Sequence, residues 1–323
     1  MILSKFSKFV ESIGGPKKVL LLDFNMDIDT HGFDDTKDFF FGNKKSEPTM
    51  VRKIQDKLPG TEVDCLSYSD IYRTKSGFYI NGVNLKEYNF VLFGLISKRT
   101  TLVKLVVNYL NLNKVPYMSY GTYVEYDNKA YEFDLIESLG YPYIPSVMTS
   151  KLNKNILSEI EGFKYPVIVK GVTGARGEDV HKADNELELQ NLFNWGNGLK
   201  LIQKFVPNDG DYRVIVIKNK VEVVVKRKST KSDEFRNNLA MGGTAEKGEL
   251  PTDVISMCED VSSHLHCDIV GFDIIQDMTT KEYYIMETNA GPHFATFAVV
   301  SGVDVLGLVA NHIIKEIDLF TTV

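Results

Sequence analysis

The sequence predicts a two-domain protein in which an α/β domain is followed by an α+β domain. Strand-like apolar runs at Val19–Phe24, Phe90–Ile96 and Val115–Tyr120 alternate with segments of helical spacing, which is typical of an α/β domain over about residues 1–115. Consecutive strand-like runs dominate residues 116–323, as in an α+β domain. A length of 323 residues fits this division, since domains average about 150 residues.

Composition and charge exclude several classes of protein. Hydrophobic residues make up 43% and charged residues 25% of the chain, so disorder, collagen and coiled coil fit poorly. Lysine and arginine number 37 against 43 acidic residues, and the net charge of −6 favours neither nucleic acid nor an anionic membrane as a partner. We expect a cytoplasmic protein with reduced thiols, and leave homo-oligomer formation open.

Two local patterns have alternative interpretations. Residues 1–15 carry apolar side chains at helical spacing with charges between them, so we expect a helix packed on its own domain rather than one that binds a membrane or a partner. No stretch approaches the ~18 apolar residues of a membrane span. Cys258 and Cys267 lie near His264 and His266, but their spacing favours ordinary packing over a zinc site.

The remaining periodicity predicts helices, strands and hairpins. Asn81-Gly82 within Phe78–Val83 predicts a tight β-hairpin. Helices are predicted at Leu102–Leu110, Tyr131–Leu139, Thr252–His266 and Val303–Ile317, and strands at Tyr165–Lys170, Leu201–Val206, Tyr212–Lys218, Val221–Arg227, Ile269–Gln276 and Tyr283–Asn289.

The last two strands predict a hairpin that concentrates oxygen ligands. A turn within Asp277–Glu282 pairs residues whose numbers sum to about 559 or 560, which places Asp273 beside Glu287. Asn289 shares the face of Glu287 because the two residues are two positions apart. Opposed carboxylates in apolar strands need a compensating cation, and oxygen ligands suit Mg²⁺. A surface hairpin with a solvated Asp273 is the alternative.

A glycine-containing loop follows the strand that ends at Lys170. Gly174 and Gly177 allow backbone N–H groups to surround phosphate oxygens, and Lys170 would add a positive charge. The loop matches neither the P-loop nor the GxGxxG fingerprint, so an ordinary connector is the alternative.

Two further segments have the composition of a nucleotide site. The strand Leu201–Val206 can pair its backbone with an adenine edge, Asp211 can hold ribose hydroxyls, and Arg213 can reach an anion; a salt bridge between exposed neighbours is the alternative. Positive charge then accumulates before Asn238, which suggests a cover over phosphates, with a solvated face as the alternative. The basic residues of this segment are Lys226, Arg227, Lys228, Lys231 and Arg236.

Taken in this order, the segments resemble the ATP-grasp superfamily, and most closely the RimK-type carboxylate–amine ligases. The resemblance is carried by DNKAYEFDLIESLGYPYIP, the strand-end lysine before the glycine loop, FRNN followed by paired glycines, and ETNAGP. It covers about residues 116–317 and implies two α+β subdomains that clasp ATP, a small one at about 123–200 and a C-terminal one at about 201–323. Residues 1–115 resemble the domain that precedes the grasp.

The resemblance implies roles for individual residues. Phosphates would be held by Lys129, Lys170 and the loop with Gly174 and Gly177. Adenine would be read by the hinge Gln203, Lys204, Phe205 and Val206, and ribose by Asp211 with Arg213 nearby. Arg227, Arg236 and Asn238 would stabilise the reaction's anionic intermediates. Asp273, Glu287 and Asn289 would bind magnesium, as two ions, with Mn²⁺ as a substitute.

Two positions depart from the family pattern. Asp179 stands where the glycine loop often has a third glycine, and Lys204 stands where an acid is frequent. The first departure puts the loop's hold on phosphate in doubt, whereas the second matters less if only the backbone of Lys204 touches the base.

The implied activity is ATP-dependent ligation of a carboxylate to an amine through an acylphosphate, with release of ADP and phosphate. The acceptor would be an amino acid, a peptide or a small metabolite. An ATP-grasp small-molecule kinase and a non-catalytic nucleotide-binding partner protein are the alternatives. The product separates the first two, because a kinase leaves the phosphate on its substrate.

Overall fold

The computed structural model describes residues 16–22, 49–94, 100–119, 128–172, 179–194, 198–230, 243–289, 292 and 295–321. These residues belong to two compact units, one within Met1–Thr122 and Asp304–Val323 and the other within Tyr123–Val303. The C-terminal segment from Asp304 onward therefore belongs to the same compact unit as the N-terminal segment. The sequence predicted that this segment belongs to the second domain. The functional domain boundaries stay a prediction.

The first unit is built on a four-stranded parallel sheet. The elements of the sheet and its helices are β1 (Lys18–Leu22), α1 (Thr49–Lys57), β2 (Glu62–Leu66), β6 (Phe90–Phe93), α2 (Thr100–Leu112), β7 (Tyr117–Ser119) and α8 (Val305–Thr321). The strand order is β2-β1-β6-β7. The strands and the helices between them follow the alternation that predicted an α/β domain.

This unit also contains a small antiparallel sheet. Its strands are β3 (Ile71–Thr74), β4 (Gly77–Ile80) and β5 (Val83–Asn84), in the order β3-β4-β5. Asn81 and Gly82 have φ values of 47° and 83°, the positive pair that a tight hairpin turn requires, so the predicted hairpin is present.

The second unit contains two antiparallel sheets. The elements are α3 (Lys129–Ser138), β8 (Ser146–Thr149), α4 (Lys154–Leu157), β9 (Val167–Gly171), β10 (Val180–Ala183), α5 (Glu186–Asn194), β11 (Lys200–Lys204), β12 (Asp211–Ile217), β13 (Lys220–Lys228), β14 (Thr244–Lys247), α6 (Thr252–His264), β15 (Ile269–Gln276), β16 (Tyr283–Asn289) and α7 (Ala295–Ser301). The four-stranded sheet has the order β10-β9-β11-β8, and the five-stranded sheet has the order β14-β13-β12-β15-β16.

The larger sheet buries one face against α3 and α6. Cys258 and Cys267 are both buried in this apolar core, in agreement with ordinary packing. The described residues include no group of three or more His, Cys, Asp or Glu side chains suited to a metal ion. Among the same residues, no helix has the length and apolar character needed to cross a membrane.

Candidate metal and nucleotide site

The hairpin of β15 and β16 brings the predicted oxygen ligands together. Asp273 is paired with Glu287, and Gly271 with Asn289, so the register is the one that the sequence predicts. Beyond Asp273 the register shifts by one residue, so that Ile274 is paired with Ile285 rather than with Met286. A β-bulge of this kind explains why the residue numbers sum to 560 on one side of the shift and to 559 on the other.

Two guanidinium groups hold the Asp273 carboxylate. Arg213 lies opposite Asp273 on the neighbouring strand β12, with Nε 2.8 Å from Oδ1. Its Nη2 also donates a hydrogen bond of 3.3 Å to Oδ2. Arg227, from β13, places Nη2 3.0 Å from the same Oδ1. Asp273 is thus a buried acid whose charge is compensated from two strands.

Asp211 completes this set of paired charges. It lies opposite Arg227 in the sheet, and Arg227 Nε donates a hydrogen bond of 2.6 Å to Asp211 Oδ1. Burial raises the pKa of the Asp211 carboxyl, while the Arg227 charge opposes that rise. Burial acts to lower the pKa of Arg227, but the carboxylates of Asp273 and Asp211 raise it overall. Arg227 therefore stays charged in the interior.

The Asn289 carboxamide links Glu287 to Arg213. It lies between Glu287 Oε1 and Arg213 Nη1, and the orientation that satisfies both directs nitrogen to Glu287 and oxygen to Arg213, each at 3.2 Å. Gly271 makes room for this arrangement, since a Cβ there would lie 2.8 Å from both Arg213 Nη1 and Pro292 Cβ. The guanidinium and the proline ring together leave no room for a Cβ at this position of the strand.

Two lysines face the same acids. Lys129 is the first residue of α3, a helix that Asn128 caps by accepting a hydrogen bond from the Ala130 N–H. Lys129 Nζ lies 3.8 Å from Glu287 Oε2. Lys170, at the end of β9, is buried, and burial lowers the pKa of its ammonium although the nearby Glu287 acts to raise it. Both predicted phosphate ligands thus lie within the electrostatic reach of Glu287.

Glu132 also belongs to this cluster, and the sequence reasoning missed it. Its side chain is buried, and its Oε2 accepts a hydrogen bond of 2.9 Å from the Thr288 N–H. Burial and the neighbouring Glu287 raise the pKa of Glu132 to about 8. The available signal was its position three residues after Lys129, which puts both side chains on one face of a helix.

The predicted adenine hinge begins with the last two residues of β11, Gln203 and Lys204, and continues to Val206. Lys204 N donates a hydrogen bond of 2.9 Å to Pro145 O, and Lys204 Nζ lies 4.0 Å from the buried Asp277. The buried Gln203 donates a hydrogen bond of 2.9 Å from Nε2 to Ser146 Oγ. Phe205 is contacted by a lysine ammonium of β10, and Val206 is buried in a small apolar cluster. Each of the four hinge residues therefore has a hydrogen-bond or packing partner of its own.

Some predicted site residues fall outside the part of the chain that the structure describes. They are Gly174, Gly177, Arg236 and Asn238. Within the described part, the structure brings together Asp273, Glu287, Asn289, Arg213, Arg227, Asp211 and Lys129, and adds Glu132.

Residues 144–317, more than half of the chain, match the family described as the RimK-like ATP-grasp domain. The chain belongs to the RimK-like ATP-grasp family. This RimK-like chain also resembles curated proteins, among them a probable alpha-L-glutamate ligase of Shewanella loihica, at 29% identity over 85% of the chain and 93% of the relative.

A second relative is the alpha-aminoadipate–LysW ligase LysX of Sulfurisphaera tokodaii, with 23% identity over 76% of the RimK-like chain and 87% of the relative. The first three curated relatives are matched over only 62%, 53% and 50% of their own lengths. The chain thus spans between half and about two thirds of those proteins.

Solved structures show that the RimK-like chain has the ATP-grasp fold. The ATP-grasp ligase PsnB, complexed with a minimal precursor, superposes with a TM-score of 0.68 at 15% identity, covering 93% of this chain and 99% of PsnB. The D-alanine–D-alanine ligase of Bacillus anthracis superposes with a TM-score of 0.61 at 15% identity, over 95% of this chain and 99% of the ligase.

Proposed function

We propose that this protein is an ATP-dependent ligase that joins a carboxylate to an amine. The observation that carries the proposal is the pairing of Asp273 with Glu287 in adjacent strands, with Asn289 beside them and lysine and arginine groups around them. Membership of the RimK-like family and the ligase names of the relatives support the same reaction class.

The residues present fit a magnesium ion. Asp273 and Glu287 offer carboxylate oxygens and Asn289 an amide oxygen, the hard donors that Mg²⁺ and Mn²⁺ prefer. The acids already attract cations, since Arg213, Arg227 and Lys129 contact them. When bound, Mg²⁺ would neutralise charge on the phosphates of ATP. Two ions remain the prediction of the sequence.

The side chains around the acids would hold the nucleotide. Lys129 and Lys170 would present ammonium groups for the phosphates. The Lys204 N–H is already donated to Pro145 O, so the backbone beyond β11, at Phe205 and Val206, would offer the hydrogen bonds to adenine. Asp211 and Arg213 are engaged with Arg227 and Asp273 in this structure, so their roles toward ribose and phosphate stay predictions. These contacts support an electrostatic role instead. Arg213 holds Asp273 in place, and Asp211 holds Arg227 in place.

The chemistry then requires positioning rather than a protein nucleophile. A carboxylate oxygen of the substrate attacks the γ-phosphorus, the bond to the β-phosphate oxygen breaks, and ADP leaves. The amine attacks the resulting acylphosphate, expels inorganic phosphate and loses a proton to solvent. Arg227, whose charge is fixed by two carboxylates, would stabilise the anionic groups, together with Arg236 and Asn238.

Relatives indicate the classes of substrate to examine. Their names describe ligation of glutamate and of alpha-aminoadipate to LysW, and PsnB was solved with a precursor peptide. We therefore propose that the acid or the amine partner of this ligase is an amino acid or belongs to a peptide.

The test is a screen of amino acids and peptides for phosphate release from ATP and Mg²⁺, with mass spectrometry of the products. A ligase releases phosphate only when both an acid and an amine are present, and the product gains the mass of the amine less water. Phosphate found on the substrate would instead identify a kinase. An Asp273→Asn, Glu287→Gln double variant that retained full biological activity would favour a non-catalytic nucleotide-binding protein.

A further inference from the structure

Glu132 is a buried carboxylate that lies against the strand of the candidate metal ligands. Its side chain belongs to α3, and its Oε2 accepts the Thr288 N–H at 2.9 Å. Thr288 is buried and stands between Glu287 and Asn289. The hydrogen bond therefore fixes the backbone at the one residue that separates two candidate ligands.

Backbone groups on the outer edge of β16 form hydrogen bonds at two points, with different kinds of partner. At Ile285 the partners are main-chain groups, since the Ile285 N–H donates to Pro142 O and the Ile285 carbonyl accepts the Ile144 N–H. At Thr288 the partner is the Glu132 side chain. Because a buried N–H without a hydrogen-bond partner is destabilising, loss of the Glu132 acceptor would weaken the strand at this point.

Lys129 and Glu132 contact the strand together. The two residues lie three positions apart on one face of α3, and they contact Glu287 and Thr288, which are consecutive in β16. Helix α3 therefore carries both a candidate phosphate ligand and the group that holds the metal strand. A displacement of Glu132 would move Thr288 and the ligands on either side of it.

We propose that Glu132 is a positioning residue for the metal site, acting through its hydrogen bond to the Thr288 N–H. The inference rests on the proposed function, because it assumes that Glu287 and Asn289 bind the metal that accompanies the nucleotide. Glu132 itself contacts neither metal nor substrate in this account. Its contribution is to fix the direction from which the two oxygens approach.

Two substitutions separate a geometric role from a role of the ionisable carboxyl group. Glu132→Gln removes the ionisable group and keeps a side-chain oxygen at the same distance from the backbone, so that Thr288 retains an acceptor. Glu132→Asp keeps an ionisable carboxyl group and withdraws the oxygen by one methylene group. A geometric role predicts that the glutamine variant outperforms the aspartate variant, whereas a role of the ionisable group predicts the reverse order. Glu137→Ala, an exposed acid on the same helix, is the matched control.

The experiment measures Mn²⁺ binding to the full chain in the presence of ADP, by the electron spin resonance signal of free Mn²⁺. We expect Glu132→Asp and Glu132→Ala to bind Mn²⁺ about 10- to 100-fold more weakly, as is typical when a group that orients a metal ligand is lost. Glu132→Gln and Glu137→Ala should retain most of the affinity. Hydrogen exchange of the peptide that contains Thr288 should accelerate in the aspartate variant and not in the glutamine variant.

The inference would be overturned by equal affinities in all folded variants, or by an aspartate variant that binds better than the glutamine variant. If Glu132→Ala does not fold, the comparison of glutamine with aspartate decides alone. A wild-type protein that binds no Mn²⁺ in the presence of ADP would contradict the proposed function itself, and with it the inference. The exchange measurement needs no metal, so the two failures are distinguishable.

Discussion

Lys129 Nζ lies 3.8 Å from Glu287 Oε2, so that a candidate phosphate ligand is paired with a candidate metal ligand. The Lys129 ammonium places a positive charge beside the Glu287 carboxylate. A metal ion bound to Glu287 would place its own positive charge beside the same carboxylate. If Glu287 bound the metal and Lys129 bound the phosphates, both side chains would exchange their present partner for a new one.

Replacement of Lys129 by methionine should change two affinities in opposite directions. Without nucleotide, Mn²⁺ should bind about three- to fivefold more tightly, because a competing positive charge is lost. ADP should bind more weakly in the same variant, because a phosphate contact is lost. Calorimetric titrations measure both values, with the exposed Lys164→Met as the control. A decrease of both affinities would contradict the exchange of partners.

Arg227 should be a large contributor to the stability of its sheet. Its guanidinium lies between the buried carboxylates of Asp211 and Asp273. Arg227→Met would remove the ion-pair partner of Asp211, whereas Asp273 would keep its contact with Arg213. Loss of one partner of a buried ion pair costs about 3–5 kcal/mol in the free energy of unfolding.

Urea unfolding of the full chain measures this free energy. Lys228→Met is the matched control, since Lys228 is the next residue of β13 and is exposed. A loss in Arg227→Met no larger than that in the control would show that the buried pairs contribute little. Addition of Asp211→Asn should recover part of the loss, because one uncompensated charge is then removed.

Gly271 should not accept a side chain. In Gly271→Ala, the new Cβ would lie 2.8 Å from Arg213 Nη1 and from Pro292 Cβ, which is too close for either to stay in place. We expect a loss of about 1–3 kcal/mol in stability from overpacking. We also expect weaker Mn²⁺ binding with ADP, because Arg213 contacts both Asp273 and Asn289. Unchanged metal affinity in this variant would show that Arg213 does not organise the ligands.

The three thiols should react at very different rates in the native protein. Burial raises the pKa of Cys258 to about 12, so almost no thiolate is present at pH 8. Cys267 is buried as well, whereas Cys65 is exposed. A thiol reagent at pH 8 should therefore modify Cys65 rapidly and the two buried cysteines only after unfolding.

Because the folded-state pKa of Cys258 is raised, the native state favours the thiol. The stability that depends on the neutral group is complete below about pH 9 and is lost as the pH rises toward about 12. The Cys65→Ser variant serves as the control for the labelling experiment, and rapid modification of this variant in the native state would contradict the assignment.

The hairpin register could be predicted from the sequence because a short turn leaves few ways to pair two apolar strands. Asp277–Glu282 fixes the turn, and the pairing of Asp273 with Glu287 follows from it. The bulge beside this pair could not be predicted, since an extra residue in one strand leaves no clear periodic signal. The same reasoning predicted the hairpin at Asn81-Gly82, where positive φ values favour these two residues.

The partners of Arg213 could not be predicted in the same way. Asp211 and Arg213 share a face, which suggested a salt bridge between exposed neighbours. In the structure Arg213 pairs with Asp273 and Asp211 with Arg227, all of them across strands and in the interior. The neighbours of β12 are β13 and β15, an order that depends on tertiary packing rather than on local sequence.

Hydrophobic periodicity also could not predict short or polar strands. The edge strands β10 and β14 read VHKA and TAEK, which contain too few apolar residues to be recognised. Glu132 belongs to a helix that was predicted, but its burial depends on β16, which lies more than 150 residues further along the chain. The spacing of Glu132 from Lys129 places the two side chains on one face of the helix, but it does not reveal the partner at Thr288.

The most direct test of the account is a crystal structure with Mn²⁺ and a non-hydrolysable ATP analogue, examined by anomalous scattering at the manganese edge. We predict an anomalous peak within about 2.5 Å of oxygens from Asp273, Glu287 and Asn289, with the triphosphate bound to the same ion. A bound nucleotide whose manganese lies away from these three side chains would contradict the central claim.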